Sequence, residues 1–489
     1  MNEKTKVIVE EKFIFNNDIL PEKLSHASGI FKNKHYKGVF IPKLSVEVKE
    51  GIQSNITRVV PVIICSDHTH HEITKPFCDS FNCDFTVQLE QKSRWTLGSV
   101  ENFLLHSGNL SKAYEHDSLI EIFDQVKTLY EKLLCMQSGY YSLHALWDIG
   151  TYFFDCFEAY PYIELNALKG CGKSKLMELS SDLTFNGTMI LGFTTATVFR
   201  IIENNRPTLY LDEAEGLFRT TNGKSVESSD IVEILNAGYC KSKGVVPRCE
   251  LVNGKYVIRY FNVYCPKMLA SINGLKGALK DRAITNYMTK PKKNDKRGSL
   301  DVSAFKEEII QTRDHLYETS LSIFSLVHYN YINFSSAGTL ENRDLQIWKP
   351  ILCLAKMVSD DIYNEMLSLA TVNSSRKDVL YEEGSWEHSI LSVVYSLFKF
   401  EDEVEEIIVK NVVSILHSSI STKISSRYVG KFLTTIGLSN YKKRLGSGTL
   451  YRFSKKNFLD VLHRQEIPTP TTLTTLTKNI DGIQEEFVH

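Results

Sequence analysis

The chain has 489 residues, room for about three domains at ~150 residues each, and its 57 Lys+Arg against 58 Asp+Glu leave a net charge of −1. This balance excludes wholesale supercharging, so any contact with nucleic acid has to come from local patches. A 43% hydrophobic share with 11% aromatics excludes disorder as the dominant state. No run reaches the ~18–20 apolar residues of a membrane helix, the start MNEKTKVIVEEKF lacks the apolar core of a signal peptide, and the ten Cys are scattered, unlike a secreted disulfide framework. A cytoplasmic, multidomain protein with no membrane partner is expected.

In chain order, residues 1–95 carry short β-like runs (Lys6–Val9, Gly38–Val48, Ile56–Ile64, Phe85–Leu89) broken by Gly, Pro, Asn and Asp. They predict a β-rich N-terminal domain to which no role can be given. Residues 96–160 read as a helical linker region, with apolar residues at helical spacing over 99–106, 118–134 and 142–157. Residues 161–290 change to buried strand, turn and helix: YIELNAL, PTLYLDE and CPKMLASIN are short apolar runs ending in polar residues, as strands of a mainly parallel α/β sheet do. A polar loop at 291–299 leads to helical periodicity over 300–370. A second polar break at 371–377 precedes a last folded unit at 385–465, and a Thr-rich tail, 466–489, has little to pack.

The strongest chemical signal is ALKGCGKS at 167–174, between the strand-like YIEL and the helix-like KLMELSSDL. A phosphate-binding loop needs small residues so that backbone N–H groups can turn inward, a Lys for the β/γ oxygens and a hydroxyl for Mg²⁺. The nucleotide contacts are therefore placed at Ala167, Lys169, Gly170, Cys171, Gly172, Lys173 and Ser174, with the following helix N-terminus facing the anion. Ala167 stands where the usual pattern has its first Gly. Downstream, PTLYLDE ends in two carboxylates: Asp212 is read as the second Mg²⁺ ligand beside Ser174, and Glu213 as the group that polarises the attacking water. ATP and Mg²⁺ are the cofactors implied.

The AspGlu pair after an apolar strand is the arrangement of AAA+ and related ring ATPases, and three further positions fit. Asn273 closes CPKMLASIN as a polar sensor of the lytic water. Arg282 in ALKDRAI stands where an arginine finger would reach a neighbouring subunit. Arg343 opens NRDLQIWKPILCLAK as a second sensor on a helical lid. Between them, VVPRCELVNGKYVIRYFNVY holds Asn253-Gly254, a strong hairpin signal. Lys255 at its tip and Arg248 and Arg259 on its arms are candidate DNA contacts; the plainer alternative is a hairpin packed on the sheet.

From about Leu146 to Lys356 the sequence resembles the AAA+ helicases of mobile elements, akin to the MCM-like replicative helicases of plasmids, viruses and integrated cassettes. LNALKGCGKSKLMELSSDLTFNG, TVFRIIENNRPTLYLDEAEGLF, EILNAGY…VPRC and CPKMLASINGLKGALKDRAI carry the likeness. The resemblance implies an α/β AAA+ core with a helical lid, a homohexameric ring, Arg282 acting in trans, a hairpin in the central channel and a C-terminal winged helix. An Asp precedes Arg282 where such proteins usually place Ser. The function it implies is an ATP-dependent DNA helicase on single-stranded or forked DNA, with possible replication partners. The alternative is an ATP-switched DNA-binding initiator or remodeller without processive unwinding.

Residues 385–465 suit the winged helix: three helical runs, then YKKRLGSGTLYRF with two β-like arms around 446–448. Between Lys423 and Arg464 stand ten Lys/Arg, among them Lys442, Lys443 and Arg444, against one acid, Asp460. This is a candidate phosphate-binding footprint; a solvated basic face or a protein-docking wing is the alternative. Near the N-terminus, Cys65, His68, His70, His71, Cys78 and Cys83 gather within CSDHTHHEITKPFCDSFNC. The Cys78–Cys83 spacing exceeds that of the usual zinc pair and no second tight pair exists, so zinc is not expected.

Overall fold

Two long strands dominate the N-terminal region of the computed structural model. The structure describes residues 22–49, 52–87, 94–105, 112–166, 170–190, 194–212, 214, 220–221, 224–225, 229–252, 254–271, 275, 277–288, 295–335, 338, 340–378, 390–391, 393–394, 397, 404–419, 424–435, 441–445, 448–454 and 458. The expected strand at Lys6–Val9 and the tail from 466 lie outside them. The chain forms two compact units, Met1–Thr371 and Val372–His489.

The first unit begins with β1 (Glu22–Ser25), β2 (Ser28–Phe31), β3 (Lys34–Lys49), β4 (Ile52–Cys65), β5 (His70–Glu72), α1 (Lys75–Phe81) and β6 (Cys83–Thr86). Strands β2-β3-β4-β5 make an antiparallel sheet, with β3 and β4 paired from Tyr36↔Cys65 out to Lys49↔Ile52, and β1 pairs with β6 in parallel. Helices α2 (Leu97–Leu105), α3 (Lys112–Leu133) and α4 (Ser138–Gly150) follow. Every residue of α4 from Tyr140 to Gly150 is buried, as expected of a helix enclosed on all sides.

The α/β block then runs β7 (Tyr162–Asn166), α5 (Lys173–Leu183), β8 (Thr188–Ile190), α6 (Thr195–Asn205), β9 (Leu209–Leu211), two short strands β10 (Thr220–Thr221) and β11 (Lys224–Ser225), α7 (Ser229–Ala237), the hairpin β12 (Val245–Val252) and β13 (Lys255–Asn262), β14 (Lys267–Ser271) and β15 (Ala283–Tyr287). Five of these strands form one sheet in the order β15-β7-β14-β9-β8, and every neighbouring pair is parallel. Strands β9 and β14 are buried at every residue, the condition of a parallel sheet covered on both faces. The mixed α/β class expected from the sequence is present.

Helices α8 (Lys306–Ser322), α9 (Phe324–Asn333), α10 (Asn342–Val358) and α11 (Asp360–Asp378) follow the sheet. The boundary between the two units, between Thr371 and Val372, falls within the break expected at 371–377, but that stretch is helical: α11 continues through it. No Gly or Pro stands there to stop a helix, and Asn373 within it is buried.

The second unit carries a three-stranded antiparallel sheet, β16 (Val404–Ile408), β17 (Tyr441–Leu445) and β18 (Gly448–Ser454), in the order β16-β18-β17. Helices Val409–Ser419 and Ser426–Thr435 share a core with this sheet through Val412, Leu416, Val429, Leu433 and Tyr451.

The N-terminal sheet is joined to the α/β block by a buried ionic cluster. Asp155, just before β7, accepts from Ser28 Oγ at 2.6 Å and from the Arg206 guanidinium at 2.5 Å. Lys37 Nζ donates to Tyr152 O at 2.8 Å and Ser28 Oγ at 3.1 Å, above the Phe185 ring, while His35 stacks on Phe324 with centroids 3.9 Å apart. Burial would raise the Asp155 carboxyl, but Arg206, Lys37 and His35 overcome it and hold it well below the usual carboxylate range. Burial pulls the Lys37 ammonium from 10.5 down to about 7.

The unfolded chain therefore binds the Lys37 proton more tightly than the folded one. Lys37 makes stability rise with pH between about 7 and 10.5, by at most about 1.4 kcal/mol per pH unit. Denaturant melts at pH 7 and pH 9 should show a smaller gain for Lys37→Met than for wild type; equal gains would contradict the depressed ammonium.

Candidate functional site

The site is assembled at the carboxyl ends of the parallel strands. From β7, strands β14, β9 and β8 extend to one side and β15 lies on the other. Crevices at the carboxyl ends beside such a reversal are where open α/β sheets bind ligands. The loop after β7 opens there. Gly170 and Gly172 have φ of 84° and 90°, the left-handed region in which a side chain is strained. At Gly172 an added Cβ would meet nothing nearer than Met288 Cε at 3.9 Å, so its backbone conformation, not space, calls for glycine. Cys171 between them is buried and packs into the main core, which anchors the loop from below.

Lys173 is the first residue of α5 and half-buried, and Ser174 beside it is exposed. Gly172 caps the helix without a side-chain hydrogen bond, so backbone N–H groups at a positive helix end face the loop. Asp212, half-buried, directly follows β9. Strand β14 separates β9 from β7, which puts the two strand ends roughly 10 Å apart at ~4.8 Å per strand. That gap suits a phosphate chain and its cation. Ala167, Lys169, Glu213 and Asn273 lie outside the described residues.

A buried carboxylate that the sequence reading passed over sits in the same row. Glu164, in the middle of β7 and 1% exposed, accepts from Thr285 Oγ1 on β15 at 2.7 Å and from the Leu275 backbone N–H beyond β14 at 2.5 Å, with Ser271 Oγ weakly at 3.5 Å. It thereby ties the segment after β14, and β15, to β7. The available signal was an acid inside an otherwise apolar strand, YIEL, where an unpaired charge would be costly.

Arg282 and Arg343 are brought together. Arg282 ends a 3-10 turn, Gly277–Arg282, and its guanidinium carbon lies 4.8 Å from the Tyr239 ring centroid. Arg343, in the first turn of α10, lies 6.0 Å from the same ring and 3.6 Å from an Asp281 carboxylate oxygen. Burial, then the neighbouring Arg343 charge, lower the Arg282 pKa.

The hairpin forms as expected, from Val245↔Asn262 to Val252↔Lys255, with Gly254 at φ 78° and Lys255 exposed beside the turn. Its two faces differ. Arg248 pairs with Glu233 at 3.5 Å, and Glu250 pairs with Arg259 at 3.6 Å and with Arg200 at 2.6 Å. Phe261 of β13 meets Phe199 of α6 at 4.5 Å between centroids. Elsewhere the hairpin presents Leu251, Tyr256, Ile258 and Tyr260, all exposed and Tyr256 81% so. The interleaving of aromatic with charged residues in KYVIRY was the readable signal for it.

On β17, Lys443 and Arg444 are exposed, while only the backbone of Lys442 is described. The His/Cys group disperses: Cys65 and Cys83 are buried, His68 bonds Phe103 O at 2.8 Å, and His71 stacks on Phe77. Among the described residues no three His, Cys, Asp or Glu converge as metal ligands would, and no helix is long and apolar enough to cross a membrane.

No protein family and no curated protein matches the sequence. Among solved structures, the A-form apo structure of the NrS-1 C-terminal region is similar at 11% identity and a TM-score of 0.33, covering 69% of this chain and 75% of that one. A second structure of that region, residues 305–718, aligns at 11% identity and 0.32 over 84% of this chain and 96% of its own. A full-length MCM homolog from Methanopyrus kandleri aligns at 10% identity and 0.33 over 70% and 76%. At this level of superposition it is the loop and strand arrangement, not the likeness, that supports the function proposed below.

Replacing Glu164 with Leu would leave the Leu275 N–H and the Thr285 hydroxyl without their acceptor, at about 1–3 kcal/mol for each buried group. Calorimetry should show a clear fall in the thermal midpoint, and a smaller one for Glu164→Gln, which keeps a carbonyl acceptor. A Leu variant as stable as wild type would show that these bonds add nothing.

Proposed function

We propose that the chain is an ATP-dependent DNA helicase of a mobile-element replication system, working as a ring in which each nucleotide meets arginines of the neighbouring copy. The observation that carries this reading is the glycine loop at the end of β7 facing Asp212 at the end of β9, with one parallel strand between them. In this reading the backbone N–H groups of Gly170–Ser174 and the Lys173 ammonium bind the phosphates of ATP. Ser174 and Asp212 fit Mg²⁺, which takes few protein oxygens and completes its shell with phosphate and water. When bound, that ion neutralises charge on the phosphates. Glu213 takes the proton of the attacking water, Asn273 orients that water, and Arg282 and Arg343 meet the nucleotide of a neighbouring copy in a hexamer.

The hairpin with Lys255 would track one DNA strand in the channel, with Tyr256 and Tyr260 offering faces on which bases stack. The second unit, with two helices on a three-stranded antiparallel sheet, suits a winged helix whose Lys442, Lys443 and Arg444 add phosphate contacts during loading. A cytoplasmic site of action, in a host cell if the element is viral, goes with this reading. The initiator alternative gains from one observation: Arg248 and Arg259 are ion-paired, which leaves the hairpin fewer cations for phosphates.

Lys173→Ala should abolish ATP hydrolysis with the fold intact, and Glu213→Gln should bind ATP without turning it over. Mixing Arg282→Ala with Lys173→Ala chains should restore activity, since a mixed interface pairs one intact loop with one intact finger. No recovery, with co-assembly established, would make Arg282 a cis or structural residue.

Lys255→Ala should keep DNA affinity but lose unwinding and DNA-stimulated hydrolysis. Neutralising Lys442, Lys443 and Arg444 should weaken binding at every sequence and reduce the salt slope by roughly 0.7–0.9 for each phosphate no longer neutralised. Unwinding intact in Lys255→Ala, with both variants equally weak in binding, would favour the initiator.

A further inference from the structure

Two guanidiniums share one aromatic ring. Tyr239 follows α7 and is 5% exposed, within the core cluster that also holds Tyr162, Leu235 and Leu279. Its backbone is fixed on both sides: the Tyr239 carbonyl accepts from Tyr160 N–H at 2.9 Å. At the preceding Gly238, an added Cβ would lie 2.3 Å from the Val263 carbonyl oxygen. A ring held this firmly is a rigid platform, and its π face attracts cations.

Arg282 and Arg343 come to that platform from different elements, the 3-10 turn Gly277–Arg282 and the first turn of α10. Like charges this close repel. The Asp281 carboxylate is 3.6 Å from Arg343, beyond hydrogen-bond reach. The Arg282 Nε is buried without a hydrogen-bond partner, although the other end of its guanidinium donates to the Ala278 carbonyl. Two adjacent guanidiniums match a dianionic phosphate, which each can grip through paired N–H groups.

We propose that Tyr239 is a positioning residue that holds Arg282 and Arg343 as one dicationic unit for a terminal phosphate of a nucleotide carried by a second copy of this chain. The inference rests on the ATPase reading above and adds a residue to it. Tyr239 touches no substrate; it sets the spacing of two groups that do. Because those groups meet charge that develops in the transition state, disturbing their alignment lowers kcat more than it raises KM.

The test uses the full chain, with Tyr239→Phe, Tyr239→Leu, Arg282→Ala and the Leu/Ala double variant. Tyr239→Phe keeps the ring and should stay near wild type. Tyr239→Leu should lower kcat by roughly 10-fold or more with KM for ATP within about twofold. The double variant should be slower than Arg282→Ala by less than the factor Tyr239→Leu costs alone, because only Arg343 is then left for the ring to position. If Tyr239→Leu does not fold, Tyr239→Met, unbranched and without a ring, replaces it in the cycle.

Multiplicative losses in the double variant, an unchanged kcat in the ringless variant, or a Phe variant as slow as the Leu variant would each overturn the proposal while leaving the ATPase reading standing. Hydrolysis that survives Lys173→Ala would instead remove the ATPase reading, and this inference with it.

Discussion

Parallel strands bring polar chain ends to one edge of a sheet, and those ends must be held at fixed distances if they are to act on one ligand. In this protein the hold is the buried Glu164 carboxylate on β7. It bonds Thr285 of the strand on one side and the Leu275 N–H beyond the strand on the other. A carboxylate 1% exposed is stable there only because its oxygens are engaged. The same bonds keep β15 and the segment after β14 in register with β7. Loss of that register would move Arg282, just before β15, relative to the loop after β7.

A second buried carboxylate does comparable work elsewhere in the block. Asp155 joins Ser28 of the N-terminal sheet to Arg206, and Arg206 stands between α6 and β9, the strand that leads into Asp212. Displacement of the N-terminal sheet would strip Asp155 of a hydrogen bond in a dry site and disturb the turn that starts β9. The β-rich region, whose role the sequence does not state, is thereby tied to the turn before β9 by short, desolvated contacts rather than by a loose linker.

Local patterns were legible in the sequence. Gly170, Gly172, Lys173 and Ser174 after an apolar run announced a strand, a loop and a helix; Asn253-Gly254 announced the hairpin; SSRYVGKFLTTIG and YKKRLGSGTLYRF placed a helix and two strands in the second unit. These features depend on neighbours in the chain. The remainder depends on neighbours in space. Tyr239 reads as one more aromatic in a helix-like stretch until Arg282 and Arg343, far along the chain, are seen on its ring. The arginines of the hairpin read as free cations until Glu233 and Glu250 are seen beside them. The helix through 371–377 is hidden by its polar composition, although the stretch holds no Gly or Pro to end it.

The central claim is that the loop at the end of β7 binds a nucleoside triphosphate through Lys173, and equilibrium titration tests it independently of DNA or assembly. Calorimetric titration of the full chain with ATP and Mg²⁺ should saturate at one nucleotide per chain, and Lys173→Ala, melting at the wild-type temperature, should lose that heat. No binding by the wild-type chain at millimolar ATP, or unchanged affinity in the folded Lys173→Ala variant, would contradict the account.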